Sequence, residues 1–320
     1  MKKIVILGST GSLGKQALEV IKKHQDKFKV VGLSAYKNKE LLEEQKENFS
    51  AENIVLSSKD KEEDLIALAV MPEVDIVINV LSGMSGLKPT LEAIKHDKKL
   101  ILGNKESLIA GGKNIDIENI IPIDSEHNAI YEIIKRNPDK KIKKIVLPCS
   151  GGPFFGRTDI ENFSLKQALN HPKWNMGKKI NIESATLINK GLELIEAHYL
   201  FKLPLNKIEI KIHREAMVHG IVEFEEQTLA YVSKPDMKEH IENALLETLG
   251  QQKQREIREL NKNEFKFYEP DLKTFKGIDI IKKVFILDEM EKFLQKEEEI
   301  INQFLDSKIS FSEIYDKLER

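Results

Sequence analysis

The sequence predicts an α/β protein with a Rossmann-like N-terminal domain built on a parallel sheet, a central α+β domain and a small C-terminal helical domain. Two observations indicate the first of these domains. Short β-branched apolar runs alternate with charged segments of helical length, and the first run leads directly into a glycine-rich turn. The length of 320 residues allows about two domains and a small third.

Individual elements follow from the same pattern. We expect the chain to divide into domains at 1–124, 125–247 and 267–320, with a linker at 248–266. A long helix is predicted over 183–201, a polar linker or exposed helix over 251–266, and two amphipathic helices over 277–320. Strands are predicted at 3–7, 29–35, 75–81 and 99–102, with further candidates at 120–123 and 145–147.

Charge and cysteine content exclude several classes of function. With 50 Lys and Arg against 52 Asp and Glu, the net charge of -2 provides no overall attraction to nucleic acid or anionic lipid. No run of 18 apolar residues is present, and the first residues lack a leader's cleavage site, so we expect a cytoplasmic protein without a membrane partner. The single Cys149 permits no internal disulfide, and no histidine pair is spaced for zinc.

The glycine-rich turn is the first candidate site. Gly8, Gly11 and Gly14 lie where a strand becomes a helix, so backbone N–H groups and the positive helix end can meet a pyrophosphate. The spacing G-x-x-G-x-x-G differs from the strict dinucleotide pattern, and a tight structural turn is the alternative.

The end of the second strand indicates which dinucleotide binds. An NAD site normally has an acidic residue there, whereas this chain has Tyr36, Lys37 and Asn38. A cation suits a ribose 2'-phosphate and therefore favours NADP, while the alternative is a solvated surface lysine.

Asp124 and Glu126 are candidate ligands of one hard cation, and the predicted long helix carries a second polar group that can present an amide, a cation and a carboxylate together. Asp124 and Glu126 stand at i and i+2 after an apolar run, where extended geometry points both carboxylates the same way; an exposed loop with a helix N-cap at Ser125 is the alternative. On the predicted helix, Glu193 shares a face with Asn189 and Lys190. A surface ion pair between Lys190 and Glu193 is the alternative. The spacing also does not distinguish Glu193 from Glu196. We expect Glu196 to be the solvated one of the two.

Two unusual loops complete the candidates. Ser150 precedes two glycines, a pattern that lets backbone donors converge on an oxyanion or phosphate. The segment 171–177 places His, Trp and Met between Pro and Gly, as in a mobile lid, although Trp174 could equally be a packing residue. Cys149 has no assigned base and is expected to be a small core residue.

Taken in register, seven segments closely resemble the 1-deoxy-D-xylulose 5-phosphate reductoisomerase family over about residues 1–245. The segments are Gly8–Gly14, Gly103–Ser107, Pro122–Asn128, Ser150–Phe154, His171–Gly177, Ser184–Glu193 and His213–Val222. The resemblance implies metal-assisted rearrangement of a ketose phosphate followed by hydride transfer from NADPH, in isoprenoid precursor synthesis. It also implies a sugar phosphate substrate and a homodimer.

The resemblance also assigns roles to residues. It implies Mg²⁺ or Mn²⁺ ligands at Asp124, Glu126 and Glu193, which with Lys105 form the catalytic set and also meet the substrate. It implies a phosphate site at Ser150, Ser184, Asn189 and Lys190, a substrate lining at Lys105, Ser125, His171 and His219, and a closing flap with Trp174 and Met176. The implied NADPH contacts are Gly8, Thr10, Gly11, Ser12, Leu13, Lys37, Asn38, Asn104, Glu106 and Gly177.

Several positions depart from the family pattern. Tyr36 replaces a small residue, Gly103 replaces an alanine, and Arg214-Glu215-Ala216 stands where Pro-Gln-Ser is frequent. The C-terminal helical domain is also shorter. The alternatives to the family reaction are another NADP-dependent reductase on this scaffold, or a non-catalytic NADP-sensing module.

Overall fold

The computed structural model describes residues 1–174, 176–251, 253, 255–260 and 264–320. The chain forms two compact units: Met1–Asp124 with Asp236–Gln254, and Ser125–Pro235 with Arg255–Arg320. The strands of the described residues are β1 Lys2–Leu7, β2 Phe28–Ala35, β3 Asn53–Leu56, β4 Ile76–Asn79, β5 Lys99–Leu102, β6 Ile120–Pro122, β7 Ile142–Cys149, β8 Ile208–Ile212, β9 Val218–Phe224, β10 Thr228–Val232 and β11 Ile257–Glu259. The helices are α1 Ser12–Lys23, α2 Lys39–Phe49, α3 Glu62–Ala69, α4 Leu87–Lys95, α5 Lys105–Gly111, α6 Ser125–Lys135, α7 Leu165–Ala168, α8 Lys178–Ala185, α9 Ile188–Phe201, α10 Met237–Glu247, α11 Gly277–Ile286, α12 Met290–Leu305 and α13 Phe311–Glu319.

The first unit contains a six-stranded parallel sheet in the order β3-β2-β1-β4-β5-β6. Its central strand β1 buries four consecutive residues from Ile4 to Leu7, as expected for a strand covered on both faces. The chain order reverses between β1 and β4, which creates the kind of crevice where α/β proteins bind ligands. The parallel sheet and the predicted strands within it are confirmed, and β3 is an additional strand.

The second unit contains a mixed five-stranded sheet in the order β11-β10-β9-β7-β8. Only β7 and β8 run parallel; the other neighbouring pairs are antiparallel. The prediction of a linker or exposed helix over 251–266 is wrong for 257–259, because Ile257 pairs with Tyr231 and Arg258 with Ala230 as an edge strand. Within that segment, residues 252, 254 and 261–263 lie outside the described part of the chain.

The long helix predicted over 183–201 is two helices, α8 and α9. Leu187 adopts a left-handed conformation with φ 59° between them, which ends α8 and redirects the chain. Two C-terminal contacts stabilise this turn. The Tyr315 hydroxyl donates to the Thr186 carbonyl at 3.1 Å. Gly277 packs so close to the same oxygen that an added Cβ would lie 2.4 Å from it.

The C-terminal segment forms three helices rather than the predicted two. Asp288, in a left-handed conformation with φ 58°, separates α11 from α12, and Ser310 caps α13 by accepting from the backbone N–H of Glu313. Within the described residues, no helix combines the length and apolar character that a membrane span requires.

Buried charges join α12 to α8. The Lys179 ammonium lies 3.1 Å from a Glu297 carboxylate oxygen and also donates to Glu183. Burial and then the neighbouring Glu183 raise the pKa of Glu297 well above its usual range. The short C-terminal segment is therefore attached to α8 through charged as well as apolar contacts.

The raised pKa of Glu297 predicts a pH dependence of stability. The Glu297 carboxyl keeps its proton in the folded protein, whereas in the unfolded chain it releases that proton near pH ~4.3. Its contribution to the free energy of unfolding is therefore fully present below that pH and is lost as pH rises through the raised pKa of the folded state. We expect Glu297→Gln to melt above wild type at pH about 8 and to approach wild type toward pH about 4, in thermal unfolding monitored by circular dichroism. The exposed Glu299→Gln is the matched control, and parallel pH profiles for Glu297→Gln and wild type would contradict the assignment.

Candidate functional site

The glycine turn after β1 requires its glycines for steric reasons. Gly8 has φ 92°, and a Cβ on Gly14 would lie 2.3 Å from the Gly8 carbonyl oxygen. Gly11 immediately precedes α1, so the first N–H groups of the helix are presented at the reversal between β1 and β4. Of the other predicted contacts here, Thr10 lies in the turn, while Ser12 and Leu13 open α1. This geometry suits a pyrophosphate.

The end of β2 presents a cation and an aromatic face. Lys37 Nζ lies 4.8 Å from the centre of the exposed Tyr36 ring. Asn38 caps α2, with its side-chain oxygen accepting from Leu41 N at 3.2 Å. The cap uses the carbonyl end of the Asn38 amide, and Lys37 therefore provides the positive charge at this position.

Asn104 and Glu106 connect two loops of the first unit. Asn104 Nδ2 donates to the carbonyls of Leu81 at 3.0 Å and Gly83 at 2.9 Å, while Glu106 accepts from Gly83 N at 3.0 Å. Both side chains are buried. These bonds fix the loop after β4 against the start of α5.

Lys105 and Asp124 form a charged pair within the same unit. The Lys105 ammonium lies 2.5 Å from an Asp124 carboxylate oxygen, and both side chains are largely buried. Such a pair keeps an ammonium and a carboxylate in one place, as proton handling requires.

In the second unit, Glu126 and Glu193 converge on Lys190. The Lys190 ammonium donates to Glu126 Oε1 at 2.6 Å, to Glu193 Oε2 and to the Pro148 carbonyl at 3.0 Å. Asn189 Nδ2 donates to the other Glu193 oxygen. Helices α6 and α9 thus bring two carboxylates from distant parts of the sequence to one positive charge.

The charge states in this cluster follow from burial and from proximity. Burial alone would raise the pKa of Glu126, but the Lys190 ammonium and the Ser125 hydroxyl, which donates at 2.6 Å, lower it to about 2. Burial likewise opposes the charge on Lys190, and the two carboxylates outweigh it and raise the pKa of its ammonium. Two carboxylates from separate helices match the oxygen ligands that Mg²⁺ and Mn²⁺ prefer.

The extended geometry expected for Asp124 and Glu126 is wrong. Ser125 is the first residue of α6, so Glu126 lies in a helical turn and not two positions along a strand. The alternative, an exposed loop with Ser125 as the helix N-cap, is not observed either, because Ser125 is buried and is the first residue within the helix. Lys190 also differs from a solvated surface pair, because its side chain is only 4% exposed.

Ser150 and His171 form a hydroxyl site with a defined proton arrangement. His171 Nδ1 accepts from the backbone N–H groups of Lys173 at 3.2 Å and Trp174 at 2.9 Å, which assigns the proton of a neutral ring to Nε2. That Nε2–H donates to Ser150 Oγ at 2.9 Å, and Gly152 N donates to the same oxygen at 3.1 Å. With both acceptor positions filled, the Ser150 hydroxyl has its own proton left to donate.

His171 is neutral at physiological pH. Burial, followed by the positive charge of Arg214, lowers the pKa of its imidazole to about 4. The neighbouring Cys149 is not a nucleophile, because burial raises the pKa of its thiol to about 11.

Ser184 lies against the glycine loop. A Cβ on Gly152, which has φ 67°, would lie 2.9 Å from the Ser184 carbonyl oxygen. Ser184 is half-buried, near the end of α8. Its backbone and the glycine loop therefore belong to one local surface.

Described residues of the predicted flap contact His171, His219 and Asn181. Trp174 is half-buried, with its ring 6.1 Å from that of the buried His219, whose Nε2 lies 3.3 Å from the Ser233 carbonyl. The Met176 carbonyl accepts from Asn181 Nδ2 at 3.3 Å, and Gly177 precedes α8. Asn175 lies outside the described residues.

The sequence interpretation missed a buried pair beside the carboxylates. His127 Nδ1 lies 3.6 Å from Glu196 Oε2, and His127 Nε2 bonds the Glu193 carbonyl at 2.9 Å. The expectation that Glu196 is solvated is wrong, since it is 1% exposed. Spacing gave no signal for this burial, because α9 carries Asn189, Lys190, Glu193, Glu196 and His198 among its apolar residues.

These features together define a class of protein. A Rossmann-type sheet with a glycine turn, followed in the same chain by a carboxylate cluster and a hydroxyl-lined glycine loop, is typical of a dinucleotide-dependent oxidoreductase with a metal and a phosphorylated ligand.

Comparison with known families specifies the class further. Residues 120–201 match the 1-deoxy-D-xylulose 5-phosphate reductoisomerase C-terminal domain, and residues 4–69 and 59–112 match 1-deoxy-D-xylulose 5-phosphate reductoisomerase. A relative of that name from Clostridium tetani is 40% identical, over 98% of this chain and 90% of its own length. Another, from Thermodesulfovibrio yellowstonii, is 46% identical over 77% of this chain and 71% of its own length. The chain belongs to the 1-deoxy-D-xylulose 5-phosphate reductoisomerase family.

Solved structures agree. The crystal structure of a DOX-P reductoisomerase with NADPH, fosmidomycin and magnesium matches with a TM-score of 0.84 and 32% identity, over 100% of this chain and 89% of that chain. The Zymomonas mobilis enzyme in complex with NADPH matches with a TM-score of 0.81 and 29% identity, over 99% of this chain and 90% of that chain. The family and the fold class expected from the sequence are confirmed.

Proposed function

We propose that this protein converts 1-deoxy-D-xylulose 5-phosphate to 2-C-methyl-D-erythritol 4-phosphate, for isoprenoid precursor synthesis, using NADPH and Mg²⁺ or Mn²⁺. The convergence of Glu126 and Glu193 on Lys190 carries the proposal, because it provides ionised oxygen ligands on a family member. Solved relatives bind NADPH, fosmidomycin and magnesium.

The metal ligands are Asp124, Glu126 and Glu193. When bound, the divalent ion supplies Lewis-acid polarisation and orientation of adjacent substrate oxygens. Ser125 and Lys190 keep Glu126 ionised and ready to bind a cation. Lys105, paired with Asp124, keeps a proton donor close to that carboxylate.

The substrate phosphate binds the hydroxyl and amide groups of the second unit. Ser150 donates its remaining hydroxyl proton, Ser184 adds a second hydroxyl and Asn189 adds an amide. Lys190 adds the positive charge of its ammonium, whose three N–H groups donate to Glu126, Glu193 and the Pro148 carbonyl. His171 and His219 line the substrate, and Trp174 with Met176 excludes water from the reacting carbon skeleton.

NADPH binds the first unit and supplies the hydride. The glycine turn receives the pyrophosphate, and Lys37 with Asn38 receives the 2'-phosphate. Asn104 and Glu106 shape the neighbouring loop, and Gly177 completes the cofactor contacts. We assign NADP binding to 1–124 and metal and substrate binding to 125–247, of which 236–247 packs with the first unit. The connection at 248–266 to the helical domain at 267–320 includes the edge strand β11.

Assembly and location complete the proposal. The protein is a homodimer, as the family resemblance implies, to be tested by size-exclusion chromatography with light scattering. It is cytoplasmic, which the single cysteine supports.

A coupled measurement tests the reaction. Purified protein with 1-deoxy-D-xylulose 5-phosphate should oxidise NADPH, followed at 340 nm, only when Mg²⁺ or Mn²⁺ is present. Oxidation of NADPH that does not require the metal and proceeds with another carbonyl compound would favour a different reductase. NADPH binding without turnover would favour a sensing module.

Removing one carboxylate charge should separate metal binding from cofactor binding. We expect Glu126→Gln to weaken Mn²⁺ binding, measured by calorimetry, by at least about tenfold and to abolish turnover, because a charged oxygen ligand is lost. The Kd for NADPH should be unchanged. The exposed Glu225→Gln, which removes a surface pair with Lys141, is the matched control; unchanged Mn²⁺ affinity in Glu126→Gln would refute its role as a ligand.

Lys37 should determine the cofactor preference. A charge-assisted hydrogen bond contributes about 1.5–3 kcal/mol, so we expect Lys37→Ala to reduce the preference for NADPH over NADH by about 10- to 100-fold. Lys37→Ala should weaken the affinity for NADPH and leave the affinity for NADH nearly unchanged. The preference of the wild type for NADPH should decrease as the salt concentration rises. Lys23→Ala, at the far end of α1, serves as control. Equal weakening of both cofactors would contradict this placement of the 2'-phosphate.

A further inference from the structure

Arg214 contacts the backbone of the hydroxyl loop directly. It follows β8, and its Nη1 donates to the Ser150 carbonyl and, at 2.9 Å, to the Gly152 carbonyl. Its guanidinium carbon lies 4.9 Å from the centre of the Phe155 ring. One guanidinium nitrogen therefore joins two carbonyls of a three-residue turn.

The turn needs such a constraint. Gly151 and Gly152 have φ 77° and 67°, conformations that glycine adopts at little cost and also leaves easily. Ser150 accepts from Gly152 N and from His171 Nε2 only while this backbone geometry persists. The direction of the Ser150 hydroxyl proton consequently depends on the contacts of Arg214.

The charge of Arg214 has no ion-pair partner in the part of the chain that the structure describes, since no carboxylate lies within 4 Å of its guanidinium. The adjacent Glu215, which lies 3.1 Å from His213, acts on it electrostatically from a greater distance. An arginine stays charged even when partly buried. Arg214 therefore places a positive charge directly against the Ser150–Gly152 turn.

We propose that Arg214 is a positioning and specificity residue of the phosphate subsite: it fixes the Ser150–Gly152 turn so that the Ser150 hydroxyl donates to a phosphoryl oxygen, and its charge favours a dianionic phosphate. The proposal rests on the proposed function, in which Ser150 meets the substrate phosphate. It adds a group at a position where the family frequently has proline.

Three substitutions separate charge from packing. Arg214→Met keeps an apolar stem of similar length, Arg214→Gln keeps a neutral N–H donor, and Arg214→Lys keeps the charge. Arg157→Met is the matched control, because Arg157 also lies over an aromatic ring, at 4.6 Å from Phe163, and pairs with Asp159 at the exposed surface.

The experiment measures KM and kcat with 1-deoxy-D-xylulose 5-phosphate, and the Kd of fosmidomycin with Mg²⁺ and NADPH present. We expect Arg214→Met to raise both KM and this Kd at least tenfold, with kcat within threefold and the Kd for NADPH unchanged. Arg214→Lys should remain within threefold of wild type in KM, Arg214→Gln should lie between Lys and Met, and Arg157→Met should match wild type.

Defined results would overturn the proposal. If Arg214→Met keeps the wild-type KM and the wild-type Kd of fosmidomycin, Arg214 has no role at the phosphate subsite. If KM and this Kd rise equally in Arg214→Lys and Arg214→Met, the charge of Arg214 does not contribute to binding. If Arg214→Met fails to fold, as judged by circular dichroism, the KM values of Arg214→Lys and Arg214→Gln decide whether the charge contributes to phosphate binding. Failure of wild type to oxidise NADPH would instead refute the proposed function, while fosmidomycin binding would still test Arg214.

Discussion

The buried Lys190 ammonium is the interaction on which the candidate site depends. Two carboxylates in a low-dielectric environment repel each other strongly unless a cation lies between them. Lys190 reaches Glu126, 64 positions away in the sequence, and Glu193 one helical turn along α9. Its third contact, the Pro148 carbonyl, ties the same ammonium to the strand that leads into the Ser150 loop. A single side chain thereby relates the proposed metal ligands to the proposed phosphate site.

The short C-terminal segment contributes to this arrangement through the turn between α8 and α9. Leu187, immediately before α9, adopts a left-handed conformation, so the direction of Asn189 and Lys190 depends on this turn. Tyr315 bonds the Thr186 carbonyl, and Gly277 allows the backbone of α11 to approach it closely. The C-terminal helices therefore stabilise the turn that positions residues of the candidate site.

Much of the fold could be predicted from local pattern. The parallel sheet follows from alternating apolar and helical segments, and the glycine turn follows from its position after β1. The break at Leu187 could not be predicted, because an apolar residue gives no local signal for a left-handed conformation, which tertiary contacts stabilise here. Strands β8 to β10 were not predicted either: β8 pairs with β7 far back along the chain, whereas β9 and β10 form a local hairpin that the sequence interpretation missed.

In the candidate site too, local pattern predicted some features, whereas others depend on tertiary contacts. Residue types and spacing made Lys190 and Ser150 candidates, and the family resemblance chose Glu193 over Glu196, but the sequence could not show that Lys190 bridges two carboxylates. Burial of Glu196 and its contact with His127 depend on how α6 and α9 pack, which periodicity alone does not determine. Arg214 was visible only as a departure from the family pattern, and its function depends on the carbonyl geometry of a glycine turn.

Thermal unfolding of Lys190→Met with and without Mg²⁺ tests the central role of this ammonium most directly. Removing one partner from a buried ion cluster costs about 3–5 kcal/mol, so the account predicts that the variant in EDTA melts well below wild type. It also predicts that Mg²⁺ raises the Tm of the variant more than that of wild type, because a cation then separates the carboxylates. Lys144→Met, which removes a surface pair with Glu209, should melt close to wild type in both conditions. A Lys190→Met variant as stable as wild type in EDTA, with no added response to Mg²⁺, would contradict the account.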